Sequence, residues 1–117
     1  MTSETTPTLT AHDRAAKIAA LNDAHRRSHF YTVMTATVAA LPRAERDALL
    51  RGIAAFEKFD GGNDPYGEHD FGALTLAGER FFFKIDYYDV AHQGHSPDPS
   101  DEAVTRRIMT VMRADEY

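Results

Sequence analysis

The chain has 117 residues, 43% of them hydrophobic, with no cysteine and a net charge of −5. That length supports one domain with a modest core, and the missing cysteines exclude disulfides and thiolate-held zinc. The charge is lopsided: residues 1–59 hold eight Lys/Arg against six Asp/Glu, residues 60–117 five against twelve, so the second half repels phosphate backbones and attracts cations or basic protein surfaces.

Residues 1–9 are Thr-rich, without the basic start or apolar core of a signal peptide, and are expected to form a disordered tail ahead of a single domain over 10–117. No apolar run is long enough for a bilayer, so no membrane contact and a cytoplasmic location are expected. Thr10 followed by Asp13 has the form of a capping box. It predicts a first helix to about Ser28, with Ala15, Ile18, Leu21 and His25 on its inner face. Phe30 to Val38 is rich in β-branched and aromatic residues and reads as a strand. Leu41-Pro42 opens a second helix, Pro42 taking the first helical position and Leu49, Ile53, Phe56 and Phe59 the apolar stripe.

The run from Gly61 to Pro65 must be a loop. Asp70–Leu76 and Arg80–Tyr87 read as a hairpin about Ala77-Gly78, which pairs Leu76 with Glu79, Leu74 with Phe81 and Gly72 with Phe83. Its core face then carries Leu74, Leu76, Phe81, Phe83, Ile85 and Tyr87. After a loop over 90–100, Asp98 is read as the cap of a last helix, with Pro99 in its first turn and Val104, Ile108, Val111 and Met112 buried. The expected class is α+β in the order α-β-α-β-β-α: a small, mainly antiparallel three-stranded sheet with helices on one face.

Extended to its open end, the hairpin register sets His69 across from Asp86 and Phe71 across from Lys84, on the face away from the core. A carboxylate beside a histidine orients the ring and raises its basicity, as in a general base or a metal ligand. Asp64, Glu68 and Asp89 flank the same end. The alternative is a structural His–Asp hydrogen bond at a sheet edge. Tyr66 and Tyr88 are recognition candidates, and Phe82 beside Phe71 makes an apolar patch if no helix covers that face. His25 and His29 have helical metal-pair spacing, opposed by Arg26-Arg27 between them; His92 and His95 form a weak loop pair. Arg26-Arg27 and Arg106-Arg107 read as helix faces, with no other basic patch or stripe suited to nucleic acid. No phosphate-binding glycine loop, His-Glu-x-x-His helix or Gly-x-Ser-x-Gly elbow is present.

The block Asn63-Asp64-Pro65-Tyr66-Gly67-Glu68-His69-Asp70-Phe71-Gly72, the segment Lys84-Ile85-Asp86-Tyr87-Tyr88-Asp89, Ser96-Pro97-Asp98-Pro99 and the closing Glu116-Tyr117 resemble an uncharacterised family of small bacterial proteins, a domain of unknown function often carried on plasmids and other mobile elements. The similarity runs from about Ile18 onward. Thr37 departs from it, standing where Gly is expected and a tight bend would end the first strand. The resemblance implies no catalytic residues and no cofactor; its genomic company implies an accessory role against host defence.

Two functional expectations follow. The first is a small acidic interaction protein, not an enzyme, in which Tyr66, Glu68, Asp86, Tyr88 and Asp89 contact a basic protein surface; such a protein can offer carboxylates where phosphates would sit. The alternative is a divalent-metal hydrolase. There Asp64, Glu68, His69 and Asp86 hold the metal, His69 and Asp86 share the proton work, and Lys84 stabilises developing charge.

Overall fold

The computed structural model describes residues 10–28 and 31–117. The tail expected over 1–9, and His29 and Phe30, lie outside the described residues. Helix α1 (Ala11–Ser28) starts where the sequence predicts: the Asp13 backbone N–H donates to Thr10 Oγ1 at 3.0 Å, which satisfies one of the free donors of its first turn. Strand β1 is Thr32–Met34 alone. The longer strand expected to Val38 stops because Thr35 turns into an N-cap, its hydroxyl accepting from the Val38 N–H, and the chain enters the short helix α2 (Ala36–Ala39). Helix α3 (Arg43–Ala54) follows, with Pro42 as the flanking cap residue and not inside the first turn. It ends before Phe56 and Phe59, which still pack against the core from the loop beyond it.

Strands β2 (Phe71–Leu76) and β3 (Glu79–Tyr88) form the predicted hairpin in the predicted register, Leu76 with Glu79, Leu74 with Phe81, Gly72 with Phe83 and Phe71 with Lys84. The two turn residues, Ala77 and Gly78, both have positive φ (52° and 80°). That geometry suits the right-handed twist of the strands it joins. Gly72 sits under the aromatic layer: a Cβ there would lie 2.4 Å from Phe83 and 2.7 Å from Phe56.

The C-terminal segment corrects the reading of a last helix. Residues Arg106–Arg113 are strand β4, preceded by a single 3-10 turn at Glu102–Val104. Asp98 caps no helix; its carboxylate accepts from the Ser100 N–H and hydroxyl, while Asp101 caps the 3-10 turn. The expected stripe Val104, Ile108, Val111, Met112 has helical spacing. The segment, however, is β-branched at Thr105, Ile108, Thr110 and Val111 and fills a slot between two strands, pairing parallel with β1 and antiparallel with β3. The sheet is therefore four-stranded and mixed, in the order β1-β4-β3-β2, where three antiparallel strands were expected.

The α+β class stands, with the helices on one face. Ile18 of α1, Val38 of α2, and Leu49 and Ile53 of α3 pack on Phe81, Phe83, Ile85, Tyr87, Met109 and Val111. Among the described residues no α-helix packs on the other face, where the C-terminal 3-10 turn (Ala114–Glu116) meets β3 and Met112 is buried. Phe71 and Phe82 stack there with each other and with Tyr117. Glu116 ties that C-terminal turn to the β1–α2 corner, accepting from the Thr35 and Thr37 hydroxyls and the Arg113 N–H. Thr37, the departure from the Gly of the resembled family, is thus a clamp partner of Glu116. Among the described residues no helix is long and apolar enough to cross a membrane.

Candidate functional site

The pairing of His69 with Asp86 is not formed. The β2 ladder carries back only to Asp70, whose carbonyl accepts from the Ile85 N–H at 2.8 Å. At the next residue the backbone leaves the strand: His69 has φ +58°, a left-handed conformation costly for a residue with a Cβ. Asp64 imposes this turn. It is 7% exposed, and its Oδ1 accepts from the N–H groups of both Glu68 (2.9 Å) and His69 (3.1 Å). The His69 ring is thereby turned to the helix side. It stacks on Phe59 with centroids 4.0 Å apart, and its Nδ1 lies 2.9 Å from Asp23 of α1. Asp86 stays on the open face and pairs with Lys84 at 3.2 Å.

What lies beneath this end of the sheet is a polar network that the sequence did not reveal. Asn22 and Arg26 of α1 are buried, at 0% and 2% exposure. Asn22 donates to the Glu68 carbonyl (2.9 Å) and to Tyr87 Oη (2.8 Å), and accepts from Arg107 Nε (2.7 Å). The Tyr87 hydroxyl donates in turn to Glu68 Oε1 at 2.9 Å, and burial raises its pKa, so it remains a neutral donor. Arg107 also reaches the Pro99 carbonyl and covers the Tyr87 ring. Arg26 bridges Asp23 and the carbonyls of Ile53 (2.7 Å) and Phe56 (3.1 Å), its guanidinium over Phe59 and Phe83. A buried network of this kind fixes one arrangement of the elements it joins, and within it only Arg26 Nε, among the described residues, is buried without a hydrogen-bond partner. Here it joins α1, the Asp64–His69 turn, β3 and β4.

Above this base a cleft opens along the edge of β3. The β2 ladder ends at Asp70, and the chain returns to β3 only at the loop 94–96, where Ser96 N–H donates to the Tyr87 carbonyl at 3.0 Å and Tyr88 bridges to His95. The interval is a cavity of about 370 Å³ lined by Asp70, Ile85, Asp86, Tyr87, Tyr88, Gly94 and His95. Alternation along the strand sends the Ile85 carbonyl and the Tyr87 N–H to the same edge. The Asp70 pKa is raised, first by burial and then by the charges of Glu68, Asp64 and Asp86, against the lowering effect of a backbone hydrogen bond. The cleft is therefore a focus of negative potential walled by aromatic rings, the chemistry that receives a cationic side chain.

The candidates of the sequence separate accordingly. Asp86 and Tyr88 line the cleft, and Glu68 contributes charge from its base while holding Tyr87. Tyr66 stands apart at the tip of the preceding turn, 78% exposed, and Asp89 is a turn residue accepting from the Gln93 N–H. Lys84 is the ion-pair partner of Asp86. Asp70 and His95 also line the cavity; Asp70 shares the core-face parity of Gly72 and Leu74. Asn22 and Arg26 continue the four-residue spacing from Ile18, and the inner face of α1 follows them in place of Leu21 and His25. Arg107 is buried in the sheet; neither it nor Arg106 lies on a helix face. Arg26 does lie on a helix, on the buried face of α1. The His25–His29 pair lies partly outside the described residues.

The metal set Asp64, Glu68, His69 and Asp86 does not converge, because His69 turns under the sheet and Asp86 above it. Among the described residues no group of three or more His, Asp or Glu side chains is placed to hold a metal ion. The chain belongs to the DUF3768 family, proteins of unknown function, whose profile matches residues 34–116. The match leaves α1, and with it Asn22, Asp23 and Arg26, outside the matched region. No curated protein and no solved structure matches the chain significantly.

Proposed function

We propose that this protein is a small acidic interaction module that receives a Lys or Arg side chain of a basic partner protein in the cleft along β3. The observation that carries the reading is one cavity at the edge of β3 lined by both Asp70 and Asp86 together with Tyr87, Tyr88 and His95. A guanidinium or ammonium entering there pairs with carboxylates, lies beside the Tyr88 ring, and offsets the smaller part of the rise in the Asp70 pKa, that from neighbouring carboxylates, the larger part being burial. Lys84 competes with the partner for Asp86, so the native affinity is set partly by an internal cation. The excess of carboxylates in residues 60–117 steers a basic surface toward the cleft and keeps nucleic acid away. A basic nucleic-acid-handling protein is the partner class that a mobile-element accessory role would supply.

The test is binding of a Lys/Arg-rich peptide at low and high salt. Binding weakens as salt rises, Asp86→Asn weakens it further, and Lys84→Gln strengthens it by freeing Asp86. Each exposed charge contributes about 1 kcal/mol or less, so changes of up to about fivefold per variant are expected. Unchanged affinity in both variants rejects the cleft as the contact.

A further inference from the structure

We infer that the outer edge of β2 is a self-association surface, at which a second copy of this chain adds its own β2 antiparallel to form one continuous sheet. Strand order places β2 at the edge. Because the Asp70 carbonyl points to β3, alternation directs the N–H and C=O groups of Phe71, Ala73 and Thr75 outward. Among the described residues none of the backbone or side-chain hydrogen bonds outside the strand ladders reaches these groups. Edge strands are normally protected by charge, proline or a bulge. The sequence Phe71-Gly72-Ala73-Leu74-Thr75-Leu76 carries none of these and pairs with β3 without interruption.

The occupant is read from self-complementarity. A two-fold axis at Ala73 sets Ala73 against its own copy, a small residue against a small one. The same axis sets Phe71 against Thr75 of the second copy, an aromatic–β-branched pair, and Leu74 against Gly72, a large residue against none. Each outward N–H and C=O then meets a partner. Beside the edge lies a cavity of about 620 Å³ between the end of α3 and β2, lined in part by Gly52, Phe56, Glu57, Lys58 and Leu74. It leaves room for the helix-side residues of the incoming strand. This edge is separate from the cleft along β3, so either proposal can fail without the other.

The experiment is sedimentation of the whole chain over a range of concentrations, with amide hydrogen exchange read at both ends of that range. A monomer–dimer equilibrium is expected in which the N–H groups of Phe71, Ala73 and Thr75 are protected when concentrated and exchange on dilution. Those of Gly72 and Leu74, bonded to β3, stay protected throughout. Ala73→Pro removes an outward donor and no bond to β3, and is expected to weaken the dimer by about tenfold or more. Thr75→Lys, which places a charge on the same edge, serves if the proline variant does not fold. A chain that stays monomeric at every concentration overturns the inference. So does a dimer with concentration-independent exchange at the three odd residues, or one that forms equally well in the folded variant.

Discussion

The Asp70 carboxyl is held between burial and neighbouring carboxylates, both of which favour its neutral form. Its folded pKa lies above the unfolded value of 3.8, so in the interval between them the folded state binds more protons than the unfolded one. Stability contributed by this group is therefore present at low pH and is lost as pH rises through that interval. Asp70→Asn is expected to melt at a higher temperature than the parent at pH 7, with the difference closing as the pH falls below the ordinary aspartate range. A melting curve series across pH checks both halves of the statement. His69 gives a second residue-scale prediction. Its left-handed backbone costs a side-chain residue about 1–2 kcal/mol, so His69→Gly, which loses the same ring contacts as His69→Ala but not the conformational penalty, is the less destabilising of the two in chemical denaturation. Asn22→Leu strips partners from Tyr87, Arg107 and the Glu68 carbonyl together and is expected to cost on the order of 3 kcal/mol.

At the scale of elements the hairpin supplies a test of opposite sign. Ala77 occupies a positive-φ turn position that Asn or Gly adopts more readily, so Ala77→Asn is expected to stabilise the fold by about 1 kcal/mol. Gly72→Ala must displace Phe83 or Phe56 and is expected to destabilise by roughly 1–3 kcal/mol; urea denaturation ranks the two. The hairpin was legible because a two-residue Ala-Gly turn fixes the register and every second residue of both strands is apolar. β4 was not, because Val104, Ile108, Val111 and Met112 fit a helical period as well as a strand and the partner strands on either side are distant in sequence. The site followed the same division. Asp86 and Tyr88 lie inside the legible hairpin, and the structure places both on the face that the register predicts. His69 lies one residue past its end, where Asp64 reverses the backbone, and extending the strand alternation across that point put its ring on the wrong face. Nor could hydrophobic patterning show that α1 buries Asn22 and Arg26, since both are polar and their partners come from four other segments.

For the molecule as a whole, charge and architecture point the same way. The helices and the polar network close one face of the sheet; the two proposed partner surfaces, the β2 edge and the cleft along β3, lie at its margin. Nothing in the DUF3768 family match assigns a reaction, and the His/carboxylate set on which hydrolysis would rest is divided between the two faces. The most direct test of an acidic recognition cleft is an NMR titration of the isotopically labelled chain with a Lys/Arg-rich peptide at low salt. Saturable shifts confined to Asp70, Asp86, Tyr88, Gly94 and His95, reversed by salt and lost in Asp70→Asn/Asp86→Asn, are the predicted result. Shifts spread evenly over the acidic surface, or unchanged in that double variant, contradict it.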